Sequence, residues 1–459
     1  MKKLLVLIII CYSQASFASN NFYFIQPSKE TTPNNLDSIR NLFNQAVQSE
    51  NSLDLARTYT QISNYISENP ESVAANGLLL RIETALQNLD DVTKQAESYR
   101  NAGQAFYRQG KYTYAMESFL KALELSEESQ DQKHLGLIHF YIGLVYMRVN
   151  EANLAIYSYE SALKYSTSIG DTSNLKNTYW ALGNAYNAAG NYLKAIESFN
   201  YEQSLVEKGN DLNRLALVHN RLGLSHQDMG DFSTGEYHLQ QSILFYKAAG
   251  NLNLAEQREI NLGRLYVLSG NPKKGIPILI SAAEQQNIRG NLEAYHIASF
   301  ALGLAYQKLD NYDSSIYFFE RTKKLLEDSN TPNSTFLTKN DLLLQTYDHL
   351  SNLYENIHDY ESAFAVEKAY ADLNDQIIND PTRERVVELG NQYELRKAQE
   401  EVARLESLNS GLQNDLDAEY RNRITWALGG AAFTVMLLVL VFVLQRQSTI
   451  QSLIARLKS

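Results

Sequence analysis

NTYWALGNAYNAAGNYLKAIESF, residues 177–199, decides how this 459-residue chain folds. An aliphatic residue, Leu182, precedes Gly183, and an aromatic, Tyr186, follows three residues on. Twelve residues past the glycine comes a small residue, Ala195, and sixteen past it a large ring, Phe199. A glycine among helix formers costs about 1 kcal/mol relative to alanine, so this one needs a packing reason. Between the halves, Gly190-Asn191 is a helix stop followed by a cap: glycine accepts a left-handed backbone and asparagine can cap the next helix. The segment therefore reads as two helices joined by a tight turn.

The pattern recurs outward in both directions. Gly103, Gly143, Gly183, Gly223, Gly263 and Gly303 stand 40 residues apart. With glycine at about 7% of residues, five further hits at preset positions have a chance on the order of 10⁻⁶. Their companions keep step. Phe106, Tyr146, Tyr186, His226, Tyr266 and Tyr306 lie three residues on, and Ala115, Ala155, Ala195, Gly235, Gly275 and Ser315 twelve on. Phe119, Tyr159, Phe199, Leu239, Leu279 and Phe319 lie sixteen on. Glycine on one helix facing a small residue on its partner would let two antiparallel helices approach closely, with the large residues filling the groove around them. Turn signals at Gly110-Lys111, Gly190-Asn191, Gly230-Asp231 and Gly270-Asn271 divide the units. Gly170-Asp171, Gly209-Asn210, Gly250-Asn251 and Gly290-Asn291 join them.

These residues resemble the tetratricopeptide repeat pattern W-x2-L-G-x2-Y, then Ala, then an aromatic. Tyr179, Leu182-Gly183, Tyr186, Ala195 and Phe199 match it well. The resemblance implies an all-α, right-handed superhelix of helical hairpins, with 40 residues per unit where most of the family has about 34. Departures are Gly235 and Gly275 in place of the packing alanine, Glu202 where the last alanine belongs, and Pro277 inside a second helix. Those departures lead us to expect looser or kinked packing in the units that contain Gly235 and Gly275. A degenerate unit with Tyr59, Ile62, Ser63 and Ala75 precedes the run. Another, with Tyr347, Leu350-Ser351, Tyr354 and Ala363, follows an inserted loop at Ser329–Phe336. About eight units are expected over residues 50–375, best formed over 96–322, after a linker and first helix at 19–49.

The two ends read as membrane signals. Residues 1–18 have a charged start (Lys2, Lys3), an apolar run and small residues at Ser16 and Ala18, as a cleaved secretory leader does. A lipoprotein reading through Cys11 meets a bulky Ile10 where that signal wants a small residue. Residues 424–444 carry no charge and would form a helix about 31 Å long, which matches the hydrocarbon core of a bilayer. Between array and span, residues 381–422 place Leu395, Ala398, Val402, Leu405, Asn409, Leu412 and Leu416 at alternating spacings of three and four. That is a coiled-coil seam, and it predicts a stalk through which two copies could dimerise; the other reading is one amphipathic helix docked on the last repeat. Residues 445–459 would be a short cytoplasmic tail, leaving the repeats periplasmic on the inner membrane.

Composition narrows the chemistry. Net charge is −11, with no basic stripe, which argues against nucleic acid. The one cysteine, Cys11, falls in the leader, so the mature chain would have no disulfide and no cysteine nucleophile. His219 and His226 share a helical face, but they occupy positions where the repeat packs aromatics, so packing is favoured over metal ligation. No serine sits in a nucleophile-elbow context, and Gly190–Lys194 lacks the ending of a phosphate loop. Neither cofactor nor metal is expected, and no catalysis. Stacked hairpins offer one extended concave face, lined mainly by the first helix of each unit. The family resemblance places Arg108, Arg148, Trp180, Asn184, Asn187, Asn220, Arg221, Asn261, Arg264 and Gln307 on that face. Asparagine can donate to and accept from a peptide backbone, and arginine can clamp a carboxylate. Phe140, Leu144 and Met147 beside Arg148 add an apolar anchor. The expected partner is a protein or peptide, bound as the input of a signalling system; the alternative is a scaffold for an envelope complex.

Overall fold

A left-handed residue recurs every 20 positions and halves each 40-residue unit. The computed structural model describes residues 35–49, 51–69, 72–89, 91–209, 211–328, 336–419 and isolated positions 437, 440 and 443–447. Positive φ occurs at Gly110, Gly170, Gly190, Gly230, Gly250, Gly270 and Gly290, and also at Gln130, Asn150 and Asp310. After each, the next backbone N–H reaches back five residues to a carbonyl, as Asn191 does to Tyr186 at 2.8 Å and Asp231 to His226 at 2.8 Å. This is the Schellman closure, which satisfies carbonyls the ending helix leaves orphaned. The following helix is then capped: Asp131, Asp171, Asn191, Asp231, Asn291 and Asn311 accept from its first backbone N–H groups. Lys111, Asn251 and Asn271 make no such side-chain bond.

The turns delimit helices of similar length. Ahead of the regular run lie α1 (Leu36–Ser49), α2 (Ser52–Glu68) and α3 (Val73–Gln87). The regular hairpins are α4 (Val92–Arg108) with α5 (Tyr112–Glu128), α6 (Gln132–Arg148) with α7 (Ala152–Ile169), and α8 (Thr172–Ala188) with α9 (Tyr192–Glu207). They continue as α10 (Leu212–Asp228) with α11 (Phe232–Ala248), α12 (Leu252–Leu268) with α13 (Pro272–Ile288), and α14 (Leu292–Gln307) with α15 (Tyr312–Glu327). Then come α16 (Phe336–Asn356), α17 (Tyr360–Ile378) and α18 (Pro381–Glu419). No strand occurs among the described residues.

What holds each hairpin is a ring seated on a glycine. A Cβ built on Gly183 would lie 2.5 Å from the Phe199 ring, and one on Gly103 would lie 2.6 Å from Phe119. Gly143 has the same relation to Tyr159, and Gly303 to Phe319. All four rings are fully buried. In the hairpins α10–α11 and α12–α13 the filler is a thinner leucine, Leu239 or Leu279, and the backbones close further. There a Cβ on Gly235 would meet the Gly223 carbonyl oxygen at 3.0 Å, and one on Gly275 the Gly263 oxygen at 2.6 Å. The two units with glycine in place of alanine are therefore tightly packed, which corrects the looser packing expected from sequence. Smaller filler permits closer backbones, and closer backbones exclude a methyl. Pro277 removes one backbone donor, yet α13 runs unbroken past it. At the next unit the Ser315 hydroxyl donates to the Gly303 carbonyl at 2.9 Å, which keeps the same approach.

The chain divides into two units at Val386. Within the first, the start of α18 returns to the α6–α7 hairpin. Arg383 Nε donates to Glu151 Oε1 at 2.8 Å, and Val386 is fully buried. In the second unit α18 continues as one helix to Glu419; of the expected seam, Leu395 is exposed while Val402 and Leu405 are half-buried. Among the described residues no helix is long and apolar enough to cross a membrane. The expected leader at 1–18 lies outside the described residues, as do the loop at 329–335 and, apart from isolated positions, the span at 424–444 and the tail at 445–459.

Two substitutions should shift thermal stability in opposite directions. Gly275→Ala pushes a methyl against backbone and should cost about 1–3 kcal/mol. Gln130→Gly relieves a left-handed residue (φ 54°) and should gain about 0.5–1 kcal/mol. A neutral Gly275→Ala in thermal or urea unfolding would remove the close-approach explanation.

Candidate inner-wall binding surface

The first helices of neighbouring units lie side by side, α4 against α6, α6 against α8, α10 against α12 and α12 against α14. Their exposed register in a single hairpin becomes a shared wall in the stack. Ring and glycine set the rotation of each first helix, so residues three or four apart on it face that wall together.

Polar side chains cross this wall from unit to unit. Arg148 Nε donates to the Tyr107 hydroxyl at 2.9 Å, with its guanidinium 5.6 Å over that ring. Asn187 Nδ2 donates to Ser225 Oγ at 2.8 Å. Asn261 Nδ2 donates to Asn220 Oδ1 at 2.8 Å. Asn184 Nδ2 instead returns to its own helix, at the Trp180 carbonyl (2.8 Å). Trp180, Asn184, Asn220, Arg221, Asn261 and Arg264 are all buried, the last at 6% exposure. Arg148, Asn187 and Gln307 are half-buried, and Arg108 is exposed at the end of α4. The structure thus gathers eight of the ten expected wall residues between α6 and α12, and leaves Arg108 and Gln307 at the ends of α4 and α14.

Charge is buried in the same region. Glu202 on α9 is fully buried and pairs with Arg214 Nε at 2.5 Å. Burial pushes Glu202 up to about 7, against the pull of Arg214. Burial likewise drives Arg221 down to about 9, and Arg258 repels it further. Glu202 stood out in the sequence as a departure from alanine. Arg258 was not singled out, although it stands 40 residues from the fully buried Val218 and Ala298. An arginine at a core register position was the available signal.

A histidine cluster lies at the hairpin α10–α11. His219 Nδ1 and His238 Nδ1 are 2.9 Å apart, and the His226 ring stacks on His238 with centroids 5.6 Å apart. His226 Nδ1 lies 3.2 Å from Asp231 Oδ2, and Phe245 covers His219. His219 and His226 thus pack as rings do at their register positions; His238, on the partner helix, was not foreseen. Among the described residues no group of three His, Cys, Asp or Glu side chains could hold a metal ion.

The family model for the tetratricopeptide repeat matches residues 96–129. The chain is 23% identical over 169 residues to tetratricopeptide repeat protein 29 of Macaca fascicularis, covering 36% of this chain and only about a third (35%) of that relative. It is 23% identical over 287 residues to the transcriptional activator NprA of Geobacillus stearothermophilus, covering 62% of this chain and 70% of that one. Among solved structures, a Rap protein complexed with competence and sporulation factor aligns with a TM-score of 0.46 and 13% identity, over 74% of this chain and 99% of the other. The family model thus matches the α4–α5 hairpin, and hairpins of the same helical layout follow it.

His238 gives a pH test. Burial, reinforced by His219 and His226, pushes its pKa down to about 4, whereas an unfolded histidine titrates near ~6.5. Between those values the unfolded chain binds the extra proton, so stability held above the unfolded value is lost as pH falls toward 4. Urea titrations should therefore show wild type losing more stability than His238→Gln between about pH 7 and pH 4.5. Equal losses would contradict the buried neutral pair.

Proposed function

We propose that the array binds a protein or peptide in extended form along its inner wall, as the sensing part of a signalling system held outside the cytoplasm. The supporting observation is the run of buried and half-buried amides and guanidinium groups on α6, α8, α10 and α12, bonded across units at Arg148–Tyr107, Asn187–Ser225 and Asn220–Asn261. Burying polar groups costs free energy, and apolar residues would stack these helices at least as well. A wall that keeps amides at unit spacing suits a partner whose own backbone repeats donors and acceptors. Phe140, Leu144 and Met147, all buried on α6, offer an apolar anchor at one end of that run.

The regulatory part of the reading draws on kinship with a transcriptional activator. The location draws on the leader at 1–18 and the apolar segment at 424–444. In this arrangement α18 is the stalk, its seam at Leu395, Val402 and Leu405 is where two copies dimerise, and the chain passes its signal to a separate output protein.

Cross-linking in native membranes followed by mass spectrometry tests the binding. A partner captured by wild type should fall about tenfold or more with Trp180→Phe combined with Asn184→Ala, a pair that removes wall contacts without a large cavity. Unchanged capture would refute the wall as the binding surface. Topology is checked separately: a reporter active only in the cytoplasm should work when fused after Ser459 and fail when fused near Asn35. The reverse pattern would refute the location.

A further inference from the structure

Short polar residues precede the helices of the array with two exceptions. Every 20 residues from Asp91 to Asn311 the cap position holds aspartate or asparagine, at ten of twelve places; the others are Lys111 and Glu151. Aspartate and asparagine are short enough to bond the first N–H groups of the helix they precede, and glutamate is not a favoured cap. Glu151 accepts no bond from the N–H groups that open α7. Its carboxylate is engaged elsewhere. Arg383 Nε donates to Glu151 Oε1 at 2.8 Å, and Arg383 Nη2 lies 2.8 Å from the same oxygen. The two residues are 232 apart in sequence.

A second pair accompanies the first. Arg385 Nη2 is 3.9 Å from Glu117 Oε1 on α5. Burial raises the Glu117 pKa, and Arg385 and Lys121 oppose that shift. Val386, the next residue, is fully buried. The arginines follow a short, stiff elbow. Asn379 ends α17, Asp380 accepts from the Thr382 N–H at 2.8 Å, and Pro381 opens α18 with its φ fixed by the ring. A displacement of α17 is therefore passed to the start of α18 with little play.

Five hairpins, α8–α9 through α16–α17, lie between Glu151 and Arg383. In a stack where each hairpin leans on its neighbours, small changes add up. A shift of about 1 Å per unit becomes about 5 Å over five units, more than the ~4 Å reach of an ion pair. The Arg383–Glu151 pair is thus made at one setting of the intervening stack. Its side chains remain 32% and 23% exposed, so salt screens the pair and it is weak enough to open.

We propose that Arg383, assisted by Arg385, is an electrostatic latch that ties the start of α18 to the α6–α7 hairpin at one setting of the stack and lets go when that setting changes. From the latch α18 continues as one helix to Glu419, so the end of the array reports on its middle. The latch needs no ligand, and its test is independent of the binding reading above.

Amide hydrogen exchange of residues 385–390, in the full chain in detergent, reads the latch. Arg383→Glu and Glu151→Arg should each speed exchange there about three- to tenfold, and the double charge swap should return it to within about twofold of wild type. Sodium chloride at about 1 M should speed wild type similarly and Arg383→Glu little. Gly183→Ala and Gly303→Ala press a methyl into the Phe199 and Phe319 rings, inside the interval the latch spans, and each should speed exchange at 385–390. Gly103→Ala makes the same clash with Phe119 outside that interval and should not. Two glycines inside the interval are used so that one variant failing to fold leaves the other, and protection of α6 and α7 reports which have folded. Wild-type exchange in both charge reversals would overturn the latch, as would a swap that restores nothing. Wild-type exchange in the folded glycine variants inside the interval, or an equal effect from Gly103→Ala, would overturn its response to the stack.

Discussion

A ring pressed flat against a glycine sets the spacing of this molecule. With Phe199 seated on Gly183, no Cβ of the first helix holds the ring off its backbone, and the same contact recurs at Gly103, Gly143 and Gly303, with leucine in place of the ring at Gly223 and Gly263. Because each unit closes on the same glycine position, each hairpin presents a similar face to the next, and the stack can continue. The two units that use leucine as filler carry glycine at the opposing position as well. Helix separation is thus set by the pair of residues together, and changing one member alone leaves either a clash or a void.

Fixed spacing also fixes which residues meet across units. Asn187 reaches Ser225, and Asn220 reaches Asn261, because both members of each pair occupy nearly the same height in consecutive first helices. Side chains that would be solvated on a lone hairpin are buried once the neighbours dock. The array consequently holds buried charge, in Glu202, Arg221, Arg258 and Arg264, inside a chain whose net charge is negative. Such groups weaken a purely structural stack, and the buried charged residues named here all lie between α9 and α12.

Much of the helical layout was legible in the sequence because glycine marks two different needs: close approach inside helices and left-handed backbone between them. The turns at Gln130, Asn150, Asp310 and His358 escaped that reading, since residues with a Cβ adopt the same backbone there and leave no compositional mark. The tighter packing at Gly235 and Gly275 was missed for a related reason: a substitution of alanine by glycine looks like loss until the thinner Leu239 and Leu279 are considered with it. On the first helices, burial was not legible from the register. Whether Asn184 turns to its own helix or Asn187 to the next depends on side-chain geometry that a repeat pattern does not encode. His238 required knowing which face of α11 meets α10.

The account stands on the first helices forming the binding wall while the second helices hold the stack. Amide hydrogen exchange on the intact chain, with and without a partner captured by cross-linking, addresses that division directly. Added protection should concentrate in α6, α8, α10 and α12, with α7, α9 and α11 unchanged. Protection that instead maps to α7, α9 and α11 would place the partner on the opposite face and contradict the account.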